Sequence, residues 1–384
     1  MGIWKTILFW VCLLILTAAG ILLYKPMLRQ MALNGDNAEN YRDTYDRDTV
    51  FTIFDPLLIT TSKGANTYFC PMQSITWLGL VRFLKPESIY YQGFGLLIHL
   101  TCALLAACLA RSLLSSGFWG VASGALFLVY VYHASTLNFV SAVITHGLCV
   151  MFYLAALLAF VSHLRTKKLP AYLLTILFFL LAHLSKETAW SLLPTMMALE
   201  YFLFLPAQAK KVNLDNLIGF TNKYWPFAII FLGALSIFLL KFPYGNIVHS
   251  WGGTSLSVNI LYRFFDLLCL LITPKIVSVT SQIAILNIII FVIAASVFHG
   301  SAPLRFFFLW IAMAILPYCL SNFRPTAELT RYLYLASVPF SILLSHGAIW
   351  ARSKRFYLRV PLTLLPLAFI GANLYLNLVK VWRL

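Results

Sequence analysis

Apolar runs about as long as a bilayer-crossing helix recur along this chain, separated by short polar stretches. The first, ILFWVCLLILTAAGILLY at 6–23, lies between Lys5 and Lys25. Its long apolar core and lack of a small-x-small cleavage pattern predict a retained helix, not a signal peptide. The same pattern predicts helices over 5–24, 89–111, 118–132, 139–163, 170–184, 189–205, 225–241, 282–298, 304–320, 332–349 and 360–379. The stretch 257–274 is ambiguous. If it crosses, the helices number twelve; if it is re-entrant or interfacial, they number eleven, the count preferred here. The expectation is an all-α integral membrane protein, one polytopic helical bundle over 1–384. Two segments exceed ordinary connections: an outer loop at 25–88, expected to fold as a cap, and a second at 242–281.

Composition agrees. Hydrophobic residues make up 61% of the chain and charged ones 10%, against roughly 25% charged in soluble domains. Too few polar groups exist to cover a water-exposed surface.

The net charge of +16 does not point to nucleic acid. Its cations fall in short clusters between apolar runs: Arg165-Thr166-Lys167-Lys168, Lys210-Lys211 with Lys223, and Arg352-Ser353-Lys354-Arg355. Such clusters favour the cytoplasmic side. This places the N-terminus, 111–117, 164–169, 206–224, 299–303 and 350–359 inside, and 25–88, 133–138, 185–188, 242–281 and 321–331 outside. The seven cysteines show no C-x-x-C spacing, and five lie within apolar runs, where they read as packing residues.

Acids are distributed unevenly. Of twelve, seven (Asp36, Glu39, Asp43, Asp46, Asp48, Asp55 and Glu87) fall in the first outer loop. On the same predicted face lie Lys186, Arg324 and Arg331, with Arg263 in the ambiguous segment facing them. Arg and Lys near an interface bind phosphate, Arg through two parallel bonds. The plainer reading is a solvated loop above cations that reach for lipid headgroups.

Five blocks, in order, resemble the GT-C superfamily of membrane glycosyltransferases, in its protein O-mannosyltransferase-like branch that includes tetratricopeptide-bearing members. They are Tyr24-Lys25-Pro26-Met27-Leu28 leading to Gly35-Asp36; Tyr68-Phe69-Cys70-Pro71-Met72 with the GLLIHL span at His99; HASTLNFVSAVITHGL from His133 to Leu148; LAHLSKETAWSLLP at 181–194; and Glu328-Leu329-Thr330-Arg331-Tyr332-Leu333-Tyr334-Leu335. Against the family pattern, Gly35 replaces one acid of a pair, Phe69-Cys70 stands at the Arg of Tyr-Arg-Pro, Ala134 replaces Pro, Asn138 replaces Glu, and Thr145-His146 replaces Gly-Arg. Two residues are inserted between Glu328 and Arg331, and no tetratricopeptide segment is expected.

The resemblance implies sugar transfer from a polyprenyl-phosphate donor to an acceptor hydroxyl on a protein, lipid or glycan, at the outer membrane face. The expected setting is a bacterial inner membrane rather than the endoplasmic reticulum. It casts Asp36 as the base, with Glu39, Asp43, Asp46 and Asp48 as reserve acids. Arg331, Lys186 and Arg324 would hold the donor phosphate, with His133, His146, Glu187 and Glu328 as substrate-binding or positioning residues. No cofactor is expected; Asp46-Arg47-Asp48 spells a D-x-D, the alternative being a divalent cation held there. A transporter would predict internal symmetry and mid-helix acids, neither of which is apparent. A non-catalytic scaffold subunit of a glycan-assembly complex is the remaining alternative.

Overall fold

The computed structural model describes residues 2–29, 70–85, 87–205, 214–241, 256–272, 300–319, 327–352 and 356–382. Among these the chain is helical, with no strand. In order come α1 (Gly2–Tyr24), α2 (Pro71–Phe83), α3 (Ser88–Leu114), α4 (Gly117–Leu128), the short α5 (His133–Leu137), α6 (Val140–Thr166) and α7 (Leu169–Ser185). They are followed by α8 (Leu192–Leu199), α9 (Leu214–Lys241), α10 (Leu256–Ile272), α11 (Ala302–Cys319), α12 (Ser337–Ala351) and α13 (Phe356–Trp382). Tight 3-10 turns follow α1 (Lys25–Arg29), precede α8 (Glu187–Ser191) and precede α12 (Ala327–Leu333).

Among the described residues four stretches are long and apolar enough to cross a membrane: Trp4–Leu28, Ile89–Leu114, Val140–Thr166 and Ala302–Cys319. Gly117–Leu128, Leu169–Ser185, Ser337–Ala351 and Thr363–Val379 are shorter apolar helices. Polarity is distributed as a lipid-facing bundle requires. Trp4, Leu8 and Leu14 on α1 and Leu364 and Tyr375 on α13 are exposed, whereas His99, His133, Thr136, Thr195, Ser337 and Asn377 are buried. The protein is therefore a membrane protein with a set of polar side chains gathered in its interior.

The centre of the bundle is α3, which packs between α4 and α6. A Cβ added at Gly124 would lie 2.7 Å from Ala107 Cβ and 2.9 Å from the Ala103 carbonyl. One added at Gly120 would lie 2.9 Å from the Ala107 carbonyl. Glycines four apart on α4 thus meet alanines four apart on α3, the small-residue seam that lets two apolar helices touch backbone to backbone. The turn joining them uses Ser115 in the left-handed region (φ 53°) and Ser116 as N-cap, its Oγ accepting from Trp119 N at 3.4 Å.

Helix boundaries depart from the apolar runs where side chains take over backbone bonding. The helix expected over 118–132 stops at Leu128, because its terminal carbonyls find partners elsewhere. Leu128 O accepts from Tyr24 Oη at 2.8 Å and contacts His99 Nε2 at 3.2 Å. Val129 O accepts from Asn377 Nδ2, and Val131 N donates to Asn373 Oδ1 at 2.9 Å. The helix expected over 332–349 begins at Ser337, since the preceding residues wind as 3-10 turns. The one expected from 225 begins at Leu214, because its first turns are polar and invisible to a search for apolar runs.

At the end of the bundle reached by α8 and the start of α9, Lys223 Nζ pairs with Glu200 Oε1, and Tyr224 Oη donates to Glu200 Oε2 at 2.7 Å. Lys223, which the sequence groups with Lys210-Lys211 in a cytoplasmic cluster, is the partner of a buried acid, and Tyr172 Oη caps its carbonyl at 2.6 Å.

Candidate functional site

The opposite end of the bundle collects segments distant in sequence. The Lys25–Arg29 turn packs on α3, α2 packs on α7 and on the 143–147 turn, α5 packs on Ala327–Leu333, and Glu187–Ser191 packs on α11. The ambiguous segment, α10, is anchored there at two points. Arg263 Nη1 donates to Cys319 O at 3.4 Å, while Tyr130 Oη reaches Leu270 O at 3.3 Å and Leu271 O at 2.9 Å.

Lys186 follows α7 in extended backbone. Its ammonium lies 3.8 Å from Glu187 Oε1, with side chains 13% and 25% exposed. Burial alone would push this ammonium toward its neutral form. The Glu187 carboxylate, with smaller contributions from Cys70, Tyr332 and Cys149, outweighs that and raises its pKa above the ordinary lysine value.

Arg331 stands in the 3-10 turn, its guanidinium carbon 5.6 Å from the Tyr332 ring centroid. Its Nε is buried with no hydrogen-bond partner, an uncommon condition for a charged group. His146 lies within electrostatic range of both Lys186 and Arg331. Its Nδ1 is 3.4 Å from Tyr318 Oη, and its ring is 6.2 Å from Tyr318 and 5.7 Å from Tyr332. Those two tyrosine rings are 4.5 Å apart.

Local structure explains the position of His146. The helix expected over 139–163 contains His146, and in the fold His146 occupies a π-helical turn, Val143–Gly147, within the continuous helix α6. A π-turn widens the helix by one residue and swings side chains out of register, a device frequent at functional sites. Gly147 seats this turn against α3, where an added Cβ would meet Ile98 at 2.6 Å.

His133 is 1% exposed and belongs to the support beneath the site. Ser337 Oγ donates to Tyr334 O at 2.9 Å, so His133 Nε2, 3.0 Å from that oxygen, is the donor to it. Ser135 and Thr330 join α5 to the Arg331 turn through hydroxyls 2.8 Å apart. His99 Nδ1 meets Tyr334 Oη at 2.7 Å.

Thus Lys186, Glu187, His146 and Arg331 come together, with His133 one layer deeper. Asp36, Glu39, Asp43, Asp46, Asp48 and Arg324 lie outside the described residues, as does the side chain of Glu328, whose backbone belongs to the 3-10 turn. Among the described residues no three His, Cys, Asp or Glu side chains are grouped to hold a metal ion. Tyr332 and His99 enter the sequence analysis only within family-like blocks, with no role of their own, and Tyr318 does not enter it. An aromatic among many in apolar runs gives no signal of its own.

Chemically, two cations, an imidazole and two phenols around one carboxylate form a surface suited to an anion. Comparison with known proteins finds no family model that matches the chain, and no curated protein that matches it.

Proposed function

We propose that this protein is a GT-C-type membrane glycosyltransferase, moving a sugar from a polyprenyl-phosphate donor to an acceptor hydroxyl. The observation that carries the reading is the meeting of Lys186, His146 and Arg331, three residues from separate blocks of the family resemblance. An Arg whose buried Nε has no protein partner suits a ligand phosphate.

In this reading the acceptor oxygen attacks the anomeric carbon and the bond from that carbon to phosphate oxygen breaks, with inversion. The acceptor proton passes to Asp36, and the charge left on the departing lipid phosphate is met by Arg331 and Lys186. Glu187 holds the Lys186 ammonium in its charged form. The chain crosses the bilayer eleven times, α10 staying at the site end, and the site faces away from the cytoplasm of a bacterial inner membrane. No metal is needed for a monophosphate leaving group flanked by two cations.

The test is reconstitution of the purified chain in liposomes with radiolabelled polyprenyl-phosphate sugars and a crude membrane acceptor extract, with and without EDTA. Wild type should transfer sugar in either condition. Asp36→Asn should bind donor without transferring it, and Arg331→Ala should bind donor more weakly. Donor binding by wild type without transfer would favour a scaffold subunit instead. No donor binding by wild type would remove the reading altogether.

A further inference from the structure

The end of the bundle opposite the candidate site carries a second organised set of cations. Arg111 ends α3, Arg165 ends α6 and Arg352 follows α12. All three converge on the turn between α3 and α4. Arg165 Nη2 donates to Ser112 O at 2.5 Å and Arg111 Nη2 to Thr6 Oγ1 at 3.4 Å. Arg352 stands 5.6 Å above the Trp119 ring, beside Gly120, whose added Cβ would touch Arg111 Cβ at 2.8 Å.

Each guanidinium also faces an aromatic ring: Arg111 over Phe9 at 4.2 Å, Arg165 over Phe204 at 5.9 Å and Arg352 over Trp119. Among the described residues none of the three has an ion-pair partner. The two ion pairs among the described residues are Lys186–Glu187 and Lys223–Glu200.

A bias of charge toward one side of a membrane needs only cations, in any orientation. Here the guanidiniums are held by ring faces and single hydrogen bonds, so much of their freedom is already lost before a ligand arrives. Arg carries five N–H donors, and the bonds above use one each on Arg111 and Arg165. Exposed apolar side chains adjoin the same turns: Phe118 at 62%, Leu169 at 64% and Trp350 at 48% exposure. Trp119 Nε1 beneath Arg352 is buried without a partner. Oriented phosphate-binding forks next to apolar surface match a molecule with an anionic head and acyl chains.

We propose that Arg111, Arg165 and Arg352 form a binding arc for anionic phospholipid headgroups. The arc is independent of the sugar-transfer reading, because it shares no residue with that site.

The test uses the full chain in zwitterionic detergent, titrated with phosphatidylglycerol, phosphatidylcholine or inorganic phosphate. Bound lipid is counted by native mass spectrometry and stabilisation is followed by thermal unfolding. Phosphatidylglycerol should bind and raise the Tm, with phosphatidylcholine and inorganic phosphate doing neither. Replacing the three arginines with Gln should weaken phosphatidylglycerol binding by about fivefold per guanidinium. A charge-matched variant at the same end, Lys5→Gln with Lys167→Gln and Lys168→Gln, should bind like wild type. If the Gln triple variant does not fold, the Arg→Lys triple variant serves. It keeps the charge, loses the fork and should bind more weakly than wild type. Equal losses in the arginine and lysine Gln variants, or wild-type binding by the Arg→Lys protein, would reduce the arc to diffuse charge. An equal Tm shift with inorganic phosphate would make it a free-anion site and overturn the lipid assignment.

Discussion

His99 Nδ1 and Tyr334 Oη meet at 2.7 Å within the buried centre of the bundle. His99 Nε2 faces the Leu128 carbonyl, so Nδ1 is the acceptor and the Tyr334 hydroxyl the donor. Tyr334 directly follows the 3-10 turn that carries Arg331, so one hydrogen bond ties the candidate phosphate site to α3. Tyr334→Phe would leave the imidazole acceptor buried and unsatisfied, at a cost of about 1–3 kcal/mol. The expected outcome is a lower Tm in detergent together with weaker donor binding. Unchanged values of both would show that the bond does not anchor the turn.

Arg331 should separate charge from geometry. If it grips phosphate through a fork, Arg331→Ala should weaken donor binding by roughly 10- to 150-fold, the worth of a charged hydrogen bond. Arg331→Lys should recover only part of this, because an ammonium is a point charge. Equilibrium binding of labelled donor measures both. Full recovery by Lys would leave a purely electrostatic role.

Lys186 makes a prediction about pH. Its pKa is raised in the folded protein, so its contribution is complete below the ordinary lysine value of about 10.4 and disappears only as pH climbs through the higher folded value. Donor binding by wild type should therefore show no step from this residue between about pH 6 and 10. In Glu187→Gln the carboxylate is gone and with it the largest opposition to burial, so the pKa is pulled down. Binding by that variant should fall as pH rises through the alkaline range, in contrast with wild type. Parallel profiles for the two proteins would remove Glu187 as the group that keeps Lys186 charged.

The seam between α3 and α4 predicts a stability effect remote from either site. Gly124→Val would force a branched side chain against Ala107 and the Ala103 carbonyl, with an overpacking penalty of about 1–3 kcal/mol. Thermal unfolding of the purified variant should show a clear drop in Tm. Gly233→Val, at a position with open space around an added Cβ, should change Tm far less.

The sequence made some of this structure legible and concealed the rest for identifiable reasons. Long apolar runs marked α1, α3, α6 and α11, since hydrophobicity sustained over a bilayer's thickness has few other uses. Grouping 185–188 and 321–331 on one face anticipated that Lys186 and Arg331 would lie near one another. The proximity of His146 could not be read, because it depends on a π-turn, and nothing in VITHG distinguishes that from an ordinary helical turn. The partner of Glu200 was concealed differently. Lys223 resembles any cytoplasmic lysine until α9 is seen to begin at Leu214 and bring it alongside α8. The 71–83 helix was hidden within a loop because its apolar content is too low to look like a span.

The pairing of Glu200 with Lys223 also bears on how the chain is made. The two partners are separated by 23 positions and lie on successive helices. During synthesis the acid enters the bilayer before its cation exists. A lone charge costs on the order of 2.5–3.5 kcal/mol at the centre of an inserting helix and less toward its end, where Glu200 stands, so α8 still gains by staying beside the insertion machinery until α9 emerges. The two helices are then released into lipid together, as a hairpin already closed by its ion pair. One salt bridge thereby sets an order of events in biogenesis as well as a contact in the finished fold.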